Sequence, residues 1–125
     1  ILMGYSINDR RLRQAGVKVT GRYLEENAQD TLKGLSPHMV WLPSVWPETY
    51  SYPLSIALKA GLPVAAFDIG AIARRLRQCG LGNGLLPLAM AHRPGDINEC
   101  FIKERHDFLP DAEITQNRCQ PQVPR

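Results

Sequence analysis

Glu48 is the carboxylate most suited to chemistry in this chain, because of the residues around it. It stands in the run Pro43-Ser44-Val45-Trp46-Pro47-Glu48-Thr49-Tyr50-Ser51-Tyr52-Pro53. An apolar stretch, Met39 to Leu42, precedes this run, and a short apolar helical pattern, Pro53 to Ala60, follows it. Gly61 stops that helix, and Pro63 opens a second apolar strand, Val64 to Phe67. Together these make one strand–helix–strand unit with Glu48 in its first loop. In a parallel sheet the loop after a strand and the start of the next helix lie at the carboxyl rim, where ligands bind. Pro53 suits a first helical turn, where a missing N–H costs little. The free N–H groups of that turn, with the helix dipole behind them, suit an anion such as phosphate.

The other chemically capable side chains read more plainly. Tyr50 and Tyr52 suit either stacking on a ligand or covering the apolar helix. Arg22 is as well explained by a surface charge as by a base or phosphate contact. Trp41 reads as core and Trp46 as a loop cover. Arg74, Arg75 and Arg77 do not share one helix face, so a solvated face is expected rather than a phosphate patch. Asp68 is expected to cap a helix. His38, His92 and His106 have no ligand spacing, so no metal is expected. No Ser-His-Asp or Cys-His set can be argued from spacing.

The elements that must position Glu48 follow from the rest of the pattern. Ile1 to Met3, Val17 to Thr20, Met39 to Leu42 and Val64 to Phe67 read as short strands, and Gly82 to Leu86 as a turn and a short final strand. A helix capped by Asn8 or Asp9 runs to Gly16. A stripe of Leu24, Ala28, Leu32 and Leu35 marks a second helix stopping at Gly34. A helix after Asp68 carries Ile72 and Leu76 inward and closes at Gly80, and a last one runs from Asp96 to about Glu104. Repeated βαβ units of this kind give an α/β fold with a doubly wound parallel sheet of five strands and right-handed crossovers. The strand ends Gly4-Tyr5-Ser6, Gly21-Arg22, Pro43-Ser44 and Asp68-Ile69-Gly70 then gather at one rim, where small residues let a ligand approach.

The chain has 125 residues, enough for one ordinary domain. That domain is expected over residues 1–107, with a poorly ordered polar tail over 108–125. The net charge of +3 does not call for nucleic acid or a membrane surface as partner. No apolar run reaches the length of a membrane span, and no signal peptide is evident. Cys79, Cys100 and Cys119 are odd in number and widely spaced, so they read as reduced thiols of a cytoplasmic protein. The chain opens on Ile1 inside an apolar run, which suggests a fragment of a longer protein.

The run from Pro43 to Tyr50, then Ala57-Leu58-Lys59-Ala60-Gly61-Leu62-Pro63-Val64, then Asp68-Ile69-Gly70-Ala71, resembles the donor-binding half of retaining glycosyltransferases. These are the group 1, or family four, enzymes, built from two facing Rossmann-like domains in the GT-B arrangement. The resemblance implies a nucleotide-sugar donor as substrate and no further cofactor. It puts Glu48 beside the donor sugar, the loop amides of Thr49, Tyr50, Ser51 and Tyr52 near the diphosphate or sugar, and Ser44 in the same loop. Gly21 and Arg22 would border the base. The family's first strand of this domain would precede Ile1, as would the acceptor domain. Closing the gap gives the strand order 2-1-3-4-5, with the Glu48 loop at its switch point. An open sheet edge of this kind invites self-association.

One position departs from the pattern. The family's second Glu, which holds the ribose hydroxyls, is Ile56 here, and an alkyl side chain accepts no hydrogen bond. A docking or regulatory module that has lost donor binding is therefore the alternative to a transferase. On either view the chain alone is not expected to be a competent enzyme. A receiver-like reading is weaker, because Tyr5-Ser6-Ile7 stand where a receiver needs an acidic cluster.

Overall fold

The computed structural model describes residues 1–103. The chain divides into two compact units, one of Ile1–Ser36 and one beginning at Pro37.

The first unit holds α1 (Asp9–Gln14) and α2 (Ala28–Gly34), the latter entered through a 3-10 turn, Glu25–Asn27. Asn8 caps α1 by accepting the Arg11 N–H at 3.1 Å, the role expected of it. Ala28 and Leu32 are the buried members of the α2 stripe, while Leu24 is exposed. The two segments read as strands meet in one parallel bridge, Leu2 with Val19. Neither extends into a longer strand.

The second unit carries β1 (Val40–Leu42), α3 (Tyr52–Lys59), β2 (Val64–Phe67), α4 (Gly70–Gln78), β3 (Leu85–Leu86) and α5 (Pro94–Lys103). Its sheet is parallel, in the order β1-β2-β3. The described residues are thus mixed α/β, with a three-stranded parallel sheet in the second unit against the five strands expected. Of the five expected strands, Ile1–Met3 and Val17–Thr20 pair at a single bridge only.

Central position explains the composition of β2. All four of its residues are buried, as an inner parallel strand covered on both faces requires. Phe67, Leu86 and Ile97 form a core to which Trp41, Met90 and Phe101 add. Trp41 stands edge-on to Phe67 and to Phe101, with ring centroids 5.0 and 5.1 Å apart, the arrangement aromatic quadrupoles favour. That bears out Trp41 as core. On α4, Ala71, Ile72, Ala73 and Leu76 are buried, and Gly80, at φ +73°, ends the helix.

Cys79 is disulfide-bonded, which overturns the reduced-thiol expectation for it. Cys100 carries a free thiol. Cys119, His106 and the expected tail lie outside the described residues. Among the described residues no helix is long and apolar enough to cross a membrane.

Candidate functional site

The loop from β1 to α3 closes on itself first. The Ser44 hydroxyl donates to the Trp46 carbonyl at 3.2 Å and accepts the Trp46 N–H at 3.4 Å. A short polar side chain bonding backbone two residues on is a usual way to fix a turn. Ser44 therefore shapes the loop. Trp46, expected to cover the loop, is instead 74% exposed.

Glu48 is anchored through its backbone. Its N–H donates to the Trp46 carbonyl at 2.8 Å, and its carbonyl accepts the Ala71 N–H at 2.9 Å. The start of α4 is thus satisfied by the Glu48 main chain. No side chain caps this helix, so the expectation for Asp68 fails. Gly70 was expected to give a ligand room. That room is taken by protein, because a Cβ at Gly70 would lie 2.8 Å from Pro47 Cα and 3.1 Å from Glu48 N. The Glu48 side chain is half-buried, and among the described residues its carboxylate makes no hydrogen bond or ion pair.

Ser51 opens α3. Its hydroxyl accepts the Leu54 N–H at 3.4 Å, and Pro53 sits in the first turn as its residue type predicts. Ser51 has φ 129°, a conformation that costs a non-glycine residue about 1–3 kcal/mol and persists only where its surroundings enforce it. Among the described residues the N–H groups of Thr49, Tyr50, Ser51 and Tyr52 donate to no protein acceptor. The row of unpaired amides therefore lies mostly in the loop. In the first helical turn only Tyr52 leaves one, since Leu54 is capped and Pro53 has none.

Arg75 arrives from α4. Its Nη1 donates to the Ser51 carbonyl at 2.9 Å and its Nη2 to the Ser55 hydroxyl at 2.8 Å. Its guanidinium lies 4.5 Å from the centroid of the Tyr50 ring. Tyr50 is also edge-on to Tyr52 at 5.0 Å, and its phenol oxygen accepts from the Ser55 hydroxyl at 3.1 Å. Tyr50 is thus committed to protein partners, whereas Tyr52 is 68% exposed. Among the described residues no carboxylate pairs with Arg75. A guanidinium beside the positive end of α3 opposes the dipole rather than complementing it, and an anion there would relieve both charges.

Arg75 was expected to belong to a solvated face. Arg74 and Arg77 do, but Arg75 follows Ala71 by one helical turn and so shares its inward face. That spacing was the available signal.

Gly21 and Arg22 belong to the first unit. The Gly21 N–H donates to the Gly4 carbonyl at 2.8 Å, at φ +80°, and Arg22 lies 5.0 Å from the Tyr5 ring centroid. The structure brings together Ser44, Glu48, Thr49, Tyr50, Ser51 and Tyr52, with Arg75 added. Among the described residues no group of three or more His, Cys, Asp or Glu side chains is placed to hold a metal ion.

Asp68 pairs with Arg77 at 2.6 Å on the surface. That hydrogen bond holds the Asp68 carboxyl below its ordinary value. A carboxyl depressed in the folded state adds stability above its unfolded pKa of about 3.9, lost as pH falls through the lower folded value. Asp68→Asn should therefore flatten the acid limb of a thermal-unfolding series below about pH 4, a difference that added salt shrinks because the pair is exposed.

No family model, curated protein or solved structure matches this chain.

Proposed function

We propose that this chain is the donor-side domain of a retaining glycosyltransferase, holding the nucleotide diphosphate of an activated sugar. The observation that carries the reading is the loop Thr49–Tyr52. Among the described residues, four amides there have no protein acceptor and the guanidinium beside them has no carboxylate partner. Glu48, in the same loop with a carboxylate unengaged among the described residues, would orient the sugar. Chemistry of this type is mainly positioning and stabilisation of the departing diphosphate. The three observed parallel strands then correspond to strands 3-4-5 of the order 2-1-3-4-5, and the Leu2–Val19 bridge to the pairing of strands 1 and 2. The partner is an acceptor domain on the same longer protein, without which this chain does not turn over. A cytoplasmic location rests on the donor alone, because the disulfide at Cys79 removes the support of reduced thiols.

Calorimetric titration of the full chain with UDP- and GDP-sugars tests this. Millimolar or tighter binding to the folded chain is expected. No binding in that range overturns the reading.

Ile56 favours a second reading, a docking or regulatory module. It is half-buried in α3, with no group to hold ribose. Ile56→Glu separates the two. If the parent binds a nucleotide sugar and the variant binds several-fold tighter, the donor reading holds. Binding by the variant alone assigns the parent to the docking class.

A further inference from the structure

The conformation of Ser51 needs something to hold it. A residue at φ 129° returns to an extended or helical conformation unless contacts outweigh the strain. Its own hydroxyl supplies one contact, at 3.4 Å to Leu54 N. The shorter and charge-assisted contact comes from outside the loop: Arg75 Nη1 on the Ser51 carbonyl at 2.9 Å. Charge-assisted bonds are about twice as strong as neutral ones. The same guanidinium is fixed by the Ser55 hydroxyl at 2.8 Å and by the Tyr50 ring. Ser51 and Ser55 are both buried, so water competes poorly for these bonds.

We propose that Arg75 is a positioning residue: by spanning the Ser51 carbonyl and the Ser55 hydroxyl over the face of Tyr50, it holds Ser51 in its positive-φ conformation and so aims the Thr49–Tyr52 amides. This rests on the donor reading for what the amides meet, but the clamp itself is a property of the free chain. Preorganised donors bind better because no ordering cost is met on binding. Lysine cannot replace this group, since an ammonium lacks the planar fork that reaches two acceptors and stacks on a ring. Glycine at Ser51 lessens the need for the clamp, since without a Cβ it meets less strain at positive φ.

The test uses the full chain and two readouts, amide hydrogen exchange of the ligand-free protein and affinity for UDP. The Ser55 N–H donates to the Ser51 carbonyl at 3.4 Å, so its exchange reports the clamp. Arg75→Met and Arg75→Lys should each speed Ser55 exchange at least about tenfold while leaving β2 protected, and each should weaken UDP binding. Adding Ser51→Gly to Arg75→Met should recover most of the lost affinity, which a purely structural or purely charge-based role does not predict. Unchanged Ser55 exchange in both single variants, full UDP affinity in Arg75→Lys, or no recovery by Ser51→Gly would overturn the proposal. A parent chain that binds neither UDP- nor GDP-sugars overturns the donor reading instead, and the clamp is then decided by exchange alone.

Discussion

Gly84→Ala should unfold the second unit at a lower urea concentration than the same change at Gly61, Gly82 or Gly95. Gly84 is buried in the 3-10 turn Gly82–Gly84 that feeds β3. A Cβ there would lie 2.0 Å from the Val64 carbonyl oxygen and 3.2 Å from Val64 C. Both atoms are backbone of the central strand, so no side-chain rotation relieves the overlap. Either the turn withdraws and β3 loses its place beside Ala66 and Phe67, or β2 shifts and disturbs β1 as well. Overpacking typically costs 1–3 kcal/mol, and a clash confined to backbone belongs above that range, at about 3 kcal/mol or more. Gly82→Ala is the control, because its Cβ would meet only Arg77 Cγ at 3.6 Å. Equal urea midpoints for the two variants would contradict the argument.

Gly70→Ala should damage both stability and donor binding. Two penalties combine. Gly70 has φ +65°, and its Cβ would lie 2.8 and 3.0 Å from Pro47 Cα and C. The conformation costs an alanine about 1 kcal/mol or more, and the clash about 1–3 kcal/mol, giving about 2–4 kcal/mol in all. Gly61→Ala separates the two: its φ is +69°, but nothing lies within 4 Å of the added methyl. It should show the conformational part only. The clash in Gly70→Ala presses on the segment that carries Glu48, so on the donor reading UDP-sugar affinity should fall at least about tenfold, while Gly61→Ala leaves it near the parent value. Calorimetry on both variants, at temperatures where each is folded, checks this.

Much of the second unit was legible in the sequence because its signals are local. Val64 to Phe67 is uniformly apolar between Pro63 and Asp68, and it is the buried central strand. Pro53 marks the first turn of α3, and Gly80 the end of α4. Less could be read where an outcome depends on two segments meeting. Asp68 had the residue type of a cap, but the Glu48 carbonyl reached α4 first and left Asp68 to Arg77. Gly70 had the residue type of a ligand cradle, but Pro47 fills it. Arg75 looked like its neighbours Arg74 and Arg77 until its one-turn offset from Ala71 is counted. Ile1–Met3 and Val17–Thr20 had strand composition, yet too few consecutive pairs to extend beyond a bridge.

The Glu48 loop and α4 are attached to each other twice. The Glu48 carbonyl seats the first turn of α4, and Arg75, one turn further on, reaches back to the residue that begins α3. Surface connections usually tolerate insertions at small entropic cost, but this one is gauged between two fixed marks. An extra residue between Glu48 and Ser51 satisfies one mark only by missing the other. Natural variation in length should therefore concentrate before Glu48, around the outward-facing Val45 and Trp46, and spare the four positions from Glu48 to Ser51.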